Sequence, residues 1–264
     1  MLNIGLGLVS SLVDISERAG REILKIYNTD FEVKVKDDQS PVTEADFIAE
    51  SLILRSIKEG ISDKFPIISE ESAFSGEVPI LSNTPFWLVD PLDGTKEFVN
   101  RNGEFTVNIA LVENSRPVLG VIHLPTKNAT YWGSPHGAFV KKGDQSARAI
   151  SCKPVSRDGI KAVISRSHHA EALDSFLANY PILEEVKAGS SLKFCLIAEG
   201  LVDLYPRMVR TMEWDTAAGH AILIAAGGGV KTMDGKDLTY GKQNFENPNF
   251  IASGQGFEYI EKQS

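Results

Sequence analysis

Hydrophobic positions along the chain recur at two spacings, one typical of helices and one typical of strands. In residues 1–27 charged side chains interrupt the apolar ones, which predicts an amphipathic helix. A second helix is predicted to start at Thr43, because apolar residues follow it at helical spacing, at Ala45, Ile48, Ala49 and Leu52. Residues 86–89 are continuously apolar, which favours a strand buried on both faces and ending at Asp90.

Strand patterns continue through the first half of the chain. Residues 105–111 alternate apolar and polar side chains, and further strands are predicted near 117–123, 129–132, 137–141 and 147–152. From about residue 153, strands (161–165, 184–187, 202–205) alternate with helices (170–179, 190–199, 215–226), which favours a smaller α/β layer. We therefore expect two subdomains, α+β at residues 1–150 and α/β at 151–264, packed as a compact pair that shares one cleft.

Composition narrows the class of protein. With 264 residues, 42% hydrophobic and 23% charged, the chain has the composition of an ordinary soluble globular protein. Its formal charge of -8 argues against a nucleic acid polymer as partner, but it does not exclude a small phosphorylated ligand bound with divalent cations. The cysteines, Cys152 and Cys195, are widely separated, so a reducing cytoplasm fits better than a disulfide framework. No signal peptide or transmembrane segment is expected at the N-terminal helix.

The strongest chemical signal is the hexapeptide Asp90-Pro91-Leu92-Asp93-Gly94-Thr95. A buried strand delivers its first carboxylate, while Pro91 and Gly94 favour a sharp turn directly after the sheet. Two carboxylates on such a turn, with the Leu92 carbonyl between them, offer the oxygen ligands that Mg²⁺ prefers. The alternative is an ordinary Asp-rich turn without a metal.

Other acidic residues each have a local explanation when taken alone. Glu70-Glu71 reads as a solvated acidic pair, Asp215 as the N-cap of a helix, and Asp46 as the partner of Thr43 in a capping box. If these acids converge, however, their mutual repulsion would require bound cations to keep them ionised. Convergence itself cannot be determined from the sequence.

Two helix starts are candidate phosphate sites, because helix N-termini present free amides to anions. One is Gly94-Thr95, and the other is Gly189-Ser190-Ser191, where Lys193 in the first turn could grip the same anion. A solvated Lys193 is the alternative. His168 and His169 are expected either to belong to a polar loop or to contact a ligand. Arg207 is expected either to bind a phosphate with two nitrogens of its guanidinium or to be an ordinary charged residue at the rim of the site.

In combination and order, these motifs resemble the inositol-monophosphatase-like superfamily of lithium-sensitive, magnesium-dependent phosphatases. The resemblance runs from about Ser40 to Gly228 and rests on Glu70-Glu71, the hexapeptide at 90–95, and Trp214-Asp215-Thr216-Ala217-Ala218-Gly219. Within the superfamily, the chain is most similar to the 3'(2'),5'-bisphosphate nucleotidases. The segments that carry this narrower likeness are residues 96–108, 165–168, 189–195 and 203–207.

The resemblance implies an α/β (α+β) fold, built as a layered αβαβα sandwich of the sugar-phosphatase type. It also implies removal of the 3'-phosphate from adenosine 3',5'-bisphosphate to give AMP. Hydrolysis of the parent 3'-phosphoadenylyl sulfate, in sulfate assimilation, stays open. An inositol or sugar monophosphatase with the same metal site is the first alternative, and a non-catalytic nucleotide sensor is the second. Cytoplasmic location is expected, with peripheral inner-membrane association and the choice between monomer and homodimer left open.

The resemblance also implies roles for individual residues. Glu70, Asp90 and the Leu92 carbonyl would bind one Mg²⁺, and Asp90, Asp93 and Asp215 a second, while Glu70 would hold a weaker third ion through water. Thr95, backed by Asp46, would help to deprotonate the attacking water, which makes Thr95, Asp46 and Glu70 the catalytic residues. The residues expected to contact substrate are Glu70, Leu92, Asp93, Gly94, Thr95, His168, Gly189, Ser190, Lys193, Arg207 and Asp215.

Overall fold

Helices begin and end close to the positions that the hydrophobic pattern predicts. The structure, a computed structural model, describes residues 4–36, 40–81, 84–155, 158–167 and 171–257. Thr43 caps the second helix, and the predicted capping box with Asp46 is confirmed. The α-helices of these described residues are α1 (Leu6–Tyr27), α2 (Glu44–Gly60), α3 (Glu70–Phe74), α4 (Thr95–Val99), α5 (Glu171–Leu177), α6 (Leu192–Ala198) and α7 (Glu213–Ala225).

Strands occupy the alternating and continuously apolar segments. Before residue 151 they are β1 (Lys34–Val35), β2 (Pro41–Val42), β3 (Ile67–Ser69), β4 (Phe86–Asp93), β5 (Thr106–Glu113), β6 (Arg116–Leu124), β7 (Ala129–Ser134), β8 (Gly137–Lys142) and β9 (Arg148–Ile150). After it they are β10 (Ile160–Ser165), β11 (Ile182–Ala188), β12 (Leu204–Arg207), β13 (Thr211–Met212), β14 (Gly229–Thr232), β15 (Glu246–Asn247) and β16 (Phe250–Ser253).

The larger sheet has seven described strands in the order β3-β4-β5-β6-β7-β8-β9. Only the β3–β4 pair is parallel, and the other neighbours are antiparallel. Successive residues of β4 face opposite cores: Trp87 and Val89 pack with α1 and α2, whereas Leu88 packs with α6 and α7. Both faces of this sheet are therefore covered, which explains why its strands read as long apolar runs.

The smaller sheet, order β11-β10-β12-β16-β14, lies on the far side of α6 and α7. Its outer face is covered by α5, where Leu173 and Leu177 pack against Ile160 and Ile164. The layers are thus α1 and α2, the larger sheet, α6 and α7, the smaller sheet, and α5, which confirms the expected αβαβα sandwich. Within the described residues, no helix combines the length and hydrophobicity needed to cross a membrane.

Two strands of the smaller sheet were not predicted. The sequence patterns suggested no strand beyond residue 205, yet β14 and β16 add antiparallel neighbours beyond β12. Both are only four residues long, and glycines flank β16 on one side and begin β14, so neither shows a recognisable period. The division into subdomains at residues 1–150 and 151–264 stays a prediction.

Candidate active site

The hexapeptide at residues 90–95 sits where β4 passes into α4. The strand does not end at Asp90 as predicted, because it continues to Asp93 through a register shift against β5. Asp90 pairs with Asn108 and Asp93 with Thr106, so β4 carries one extra residue between these pairs. Gly94 then adopts a left-handed conformation at φ +89°, which permits the tight path into α4. This irregular segment places Asp93, Gly94 and Thr95 in the lining of one cleft, while Asp90 is buried.

A cleft of about 230 Å³ brings together most of the predicted residues. Those that line it are Glu70, Asp93, Gly94, Thr95, Ser190, Lys193, Arg207 and Asp215. Asp46, Asp90 and Leu92 are not part of its lining, and all three side chains are buried. His168 lies outside the described residues. Four separate elements therefore contribute acids to this region: α2, α3, β4 and α7.

Four aspartates belong to this region: Asp46, Asp90, Asp93 and Asp215. Among the described residues, the backbone amides that bond each of them contact only one of its two carboxylate oxygens. Asp90 Oδ1 accepts from the Leu92 amide at 3.1 Å, and Asp215 Oδ2 accepts from the Met212 amide at 2.8 Å. Asp46 Oδ2 accepts from the amide and hydroxyl of Thr43, both at 2.8 Å. The capping box predicted for Asp46 is therefore present. Asp215 is not the N-cap that was predicted, because Met212 takes that position and Asp215, the third residue of α7, bonds back to its amide. Each of the two carboxylates uses one oxygen for this backbone contact.

Asp93 obeys the same rule with partners from the other half of the chain. Its Oδ2 accepts from Ser190 Oγ at 2.7 Å, from the Ser191 amide at 2.7 Å and from Ser191 Oγ at 2.9 Å. Asn108, itself buried, bonds Ser191 Oγ at 2.9 Å and supports the arrangement from behind. Asp93 is thus oriented by a hydrogen-bond network that spans the cleft.

Thr95 stands next to the second oxygen of Asp46. The distance from Thr95 Oγ1 to Asp46 Oδ1 is 3.4 Å, and to the Leu92 carbonyl it is 3.3 Å. Burial raises the pKa of Asp46 above its ordinary value, although the hydrogen bonds from Thr43 act in the opposite direction. A buried carboxylate with a raised pKa, in contact with a threonine hydroxyl, is a suitable proton acceptor.

Lys36 belongs to this site, although no pattern in the sequence predicts it. Its Nζ lies 2.8 Å from Glu70 Oε1 and 2.6 Å from Glu71 Oε1, with only 8% of its side chain exposed. Burial would lower the pKa of Lys36, but the charges and hydrogen bonds of the two glutamates outweigh it and hold the pKa above its ordinary value. Glu71 is 4% exposed, so the reading of Glu70-Glu71 as a solvated pair was wrong.

The electrostatics of the cluster favour a bound cation. Burial raises the pKa of Asp90 well above its ordinary value, and the negative charges of neighbouring acids, Glu70, Asp93 and Asp215, raise it further. Asp215 is shifted in the same direction by burial and then by Asp93 and Glu70. For Glu71, burial and the charge of Glu70 raise the pKa to about 7. Each ionised acid thus disfavours ionisation of its neighbours, and a cation between them would relieve this repulsion.

The acids do not form a closed cage. Among the described residues, no group of three or more His, Cys, Asp or Glu side chains is already gathered as a set of direct metal ligands. Mg²⁺ keeps several of its waters in proteins and is commonly held by one or two carboxylates. The oxygen-only donor set, with one oxygen of each aspartate turned away from its backbone partners, fits the same ion.

The lining of the cleft also carries positive charge, from Lys193 and Arg207. Lys193 is buried, which excludes the solvated alternative, and its Nζ donates to the Ser190 carbonyl at 2.5 Å. Burial lowers the pKa of Lys193 to about 8. Arg207 donates to the carbonyls of Val209 and Arg210, so its guanidinium is fixed at the rim. The amides of Gly189 and Ser191 are not free for an anion in this structure, because Glu104 and Asp93 accept from them.

Comparison with known proteins places the chain in a family. A model of the inositol monophosphatase family matches residues 8–262. The 3'(2'),5'-bisphosphate nucleotidase CysQ of Buchnera aphidicola is 42% identical over 256 residues, 95% of this chain and 95% of that protein. The protein of the same name from Escherichia coli K12 is 40% identical over 249 residues, 93% of this chain and 99% of that protein.

Solved structures agree. The crystal structure of CysQ from Bacteroides thetaiotaomicron, described as a bacterial member of the inositol monophosphatase family, has a TM-score of 0.79 at 37% identity and covers 96% of this chain and 98% of that one. An inositol monophosphatase from Anabaena shares the fold, with a TM-score of 0.73 at 24% identity, covering 94% of this chain and 90% of that one. The resemblance inferred from the motifs is confirmed: this chain belongs to the inositol monophosphatase family.

Proposed function

We propose that this protein is a magnesium-dependent phosphomonoesterase that removes the 3'-phosphate of adenosine 3',5'-bisphosphate to give AMP and phosphate. The observation that carries the proposal is the lining of one cleft, which contains both acids and cations. Glu70, Asp93 and Asp215 line it together with Thr95, and so do Lys193 and Arg207. Such a cleft suits a metal cation with the phosphate that is removed, and a second anionic group beside the lysine and arginine.

The relatives support this choice of substrate over an inositol phosphate. Relatives at 40–42% identity over more than nine-tenths of the chain carry the name 3'(2'),5'-bisphosphate nucleotidase. The solved inositol monophosphatase from Anabaena, by contrast, is only 24% identical. An inositol or sugar phosphatase with the same acids remains the first alternative, and a non-hydrolysing nucleotide sensor the second.

Glu70, Asp90, Asp93, Asp215 and the Leu92 carbonyl would hold Mg²⁺, with two ions expected and a third at Glu70. When bound, Mg²⁺ lowers the pKa of a coordinated water and neutralises the charge that develops on the phosphoryl group. The mutual repulsion of the acids supports the assignment, because they would stay together and ionised only beside a cation.

The remaining steps use side chains of the protein. Thr95 accepts a proton from the attacking water as its own hydroxyl proton passes to Asp46 Oδ1, 3.4 Å away. The first-turn amides at Gly94 and Thr95 hold the scissile phosphate, since the leading amides of a helix have no partner within it. Attack is in line with the leaving 3'-oxygen and forms no phosphoenzyme. The hydroxyls of Ser190 and Ser191 both donate to Oδ2 of Asp93, and in this proposal they orient that carboxylate.

The nucleotide and its second phosphate would lie against Gly189, Ser190, Lys193, Arg207 and His168. Lys193 supplies a buried positive charge there, and Tyr205, whose ring centroid lies 5.1 Å from Lys193 Nζ, keeps it against an aromatic face. We propose the same site for 3'-phosphoadenylyl sulfate, which presents the same 3'-phosphate, and hence a cytoplasmic role in sulfate assimilation.

A phosphate-release panel tests the proposal. Purified protein is assayed with adenosine 3',5'-bisphosphate, 3'-phosphoadenylyl sulfate and inositol 1-phosphate, each with Mg²⁺, with EDTA, and with Mg²⁺ plus millimolar Li⁺. We expect the bisphosphate to have the highest kcat/KM, with Mg²⁺ required and Li⁺ inhibitory. A higher kcat/KM for inositol 1-phosphate would favour the first alternative. Tight binding of the bisphosphate with no phosphate released in Mg²⁺ would favour the sensor.

A further inference from the structure

Residues 189–191, here called the 189–191 turn, are held from two sides by carboxylates of the first half of the chain. The Gly189 amide donates to Glu104 Oε2 at 2.7 Å, and the Ser191 amide donates to Asp93 Oδ2 at 2.7 Å. Asp93 is an expected metal ligand. Glu104 lies outside the cleft lining and takes no part in the proposed reaction.

The turn needs such support because its backbone is unfavourable. Ser190, between the two gripped amides, has φ +53°, a left-handed conformation that L-residues other than Gly, Asn and Asp rarely adopt. A conformation of this kind persists only where the surroundings determine it, and it is found most often at functional sites. Thr106 Oγ1 lies 2.5 Å from Ser190 Oγ and adds a further restraint.

Glu104 is itself fixed by Arg166, just beyond β10. Arg166 Nε and one terminal nitrogen each lie 2.8 Å from a different oxygen of Glu104, and the guanidinium also bonds the Lys187 carbonyl of β11 at 2.9 Å. Burial alone would raise the pKa of Glu104, but the hydrogen bonds from Arg166 and Gly189 outweigh it and lower the pKa. The ionised carboxylate of Glu104, two residues before β5 of the larger sheet, thus connects that sheet to the C-terminal ends of β10 and β11 in the smaller sheet.

The turn is closely packed against residues of the first half of the chain. A Cβ placed on Gly189 would stand 2.8 Å from Glu97 Cγ and 3.0 Å from the Glu104 carbonyl oxygen. The turn in turn sets the buried lysine, because Lys193 Nζ donates to the Ser190 carbonyl at 2.5 Å. Displacement of the turn would therefore move both Ser190 and Lys193 relative to the metal-side acids.

We propose that Glu104 is a positioning residue, which sets the 189–191 turn and Lys193 at the distance from the acids that a substrate with two phosphates requires. This inference rests on the proposed function. It predicts that loss of Glu104 weakens binding of the second phosphate more than it slows hydrolysis at the first. The reason is that Asp93 would still accept the hydrogen bond from the Ser191 amide on the other side of the turn.

The test compares Glu104→Leu, which removes the acceptor, with Glu104→Gln, which keeps an acceptor oxygen for the Gly189 amide. Glu199 provides the matched control at the other end of α6. It is a carboxylate with 4% of its side chain exposed, bonded by Tyr131, Lys142 and Arg148, and it lies away from the cleft. Glu199→Leu and Glu199→Gln thus measure what loss of a buried ion pair does in general.

We expect Glu104→Leu to raise KM for adenosine 3',5'-bisphosphate by about tenfold or more while changing kcat far less. For adenosine 3'-monophosphate, which lacks the 5'-phosphate, KM should change little. Glu104→Gln should show a smaller effect of the same kind, and both Glu199 variants none. Equal KM changes for the two substrates, or a KM for both Glu104 variants equal to that of the Glu199 variants, would overturn the proposal.

Amide hydrogen exchange separates this inference from the proposed function, because it needs no turnover. In Glu104→Leu and Glu104→Gln, exchange at residues 187–195 should accelerate by about tenfold or more relative to wild type. Unchanged exchange there would refute the role of Glu104 even if the enzyme is a nucleotidase. Wild-type protein that releases no phosphate from the bisphosphate would refute the proposed function, while the exchange result would still decide whether Glu104 holds the turn.

Discussion

The Asp90 carboxylate has a structural contact and an electrostatic cost. Its Oδ1 accepts a hydrogen bond from the Leu92 amide, while burial and the charges of three acidic neighbours raise the pKa of Asp90. An asparagine can turn its amide oxygen towards Leu92 and keep that bond, but it brings neither a negative charge nor a second acceptor. The substitution therefore separates the folding contribution of this side chain from its contribution to the site.

Asp90→Asn should reduce kcat for phosphate release by about 10³-fold or more, since it removes a ligand that would be shared by both metal ions. Its melting temperature in EDTA should equal or exceed that of wild type, because a repelled buried charge is lost. Asp203→Asn is the control. Asp203 also bonds a backbone amide, that of Lys161 at 2.8 Å, but stands outside the cleft, so this variant should retain full activity. Normal turnover by Asp90→Asn would contradict the metal assignment.

Lys193 gives the second prediction at this scale, because its pKa of about 8 lies within reach of an ordinary assay. Below that pH the amine is charged and can pair with the second phosphate, and above it the charge is lost. KM for the bisphosphate should therefore rise as pH increases through about 8. In Lys193→Met, KM should be raised by about tenfold or more at pH 7 and should lose this pH dependence. A variant that kept the wild-type pH profile would place the titrating group elsewhere.

Among the elements, α7 matters most to the site, because it carries Asp215 and packs directly on the larger sheet. Strand glycines permit this contact: a Cβ on Gly120 of β6 would come within 2.4 Å of the Ala218 carbonyl, and one on Gly133 of β7 within 2.5 Å of Ile222 Cα. Neither position leaves room for a methyl group without a shift of helix backbone. The position of Asp215 therefore depends on two strand residues that do not line the cleft.

Gly120→Ala should destabilise the protein by about 1–3 kcal/mol in urea unfolding, as expected for overpacking. It should also lower kcat, because α7 must move away from the sheet with Asp215. Gly60→Ala is the matched control. It lies in the last turn of α2 with nothing within 4 Å of a Cβ, so stability should be unchanged or slightly higher. A loss of stability without any loss of activity in Gly120→Ala would show that Asp215 tolerates the shift.

For the whole molecule, the acid cluster couples folding to pH and to divalent cations. Glu71 has a pKa of about 7, and the pKa values of Asp90 and Asp215 are raised well above those of the unfolded chain, so the folded state binds more protons over a window that for Glu71 runs from about pH 4 to 7. Their contribution is thus fully present at low pH and is lost as pH rises across this window. Without divalent cations, these groups should make the free energy of unfolding fall with increasing pH.

Added Mg²⁺ should raise the melting temperature, and by more at pH 8 than at pH 5, because the ionised acids bind it. The measurement is thermal unfolding in EDTA and in Mg²⁺ at both pH values, with NaCl at matched ionic strength as the control for screening. In Asp90→Asn the Mg²⁺ effect should be much smaller. An equal Mg²⁺ effect at pH 5 and pH 8 in the wild type would be inconsistent with binding by these acids.

Much of this architecture could be predicted from the sequence, for a local reason in each case. The capping box at Thr43 and Asp46 and the long apolar strand before Asp90 depend on neighbouring residues only. The contacts of Lys36 and Glu104 could not be predicted in this way, because their partners lie 34 and 85 residues away along the chain. The same holds for β16, which pairs with a strand more than forty residues earlier.

At each of the four aspartates the backbone bonds a single oxygen, which has a consequence for how a protein of this family could change over evolutionary time. Asp and Asn differ by a single atom at the end of the side chain, and the atom that the backbone uses can be the same in both. A lineage could therefore silence hydrolysis through one such replacement and still inherit an intact αβαβα sandwich. Descendants that sense a nucleotide without cleaving it would then be one codon change away, with no period of misfolding between.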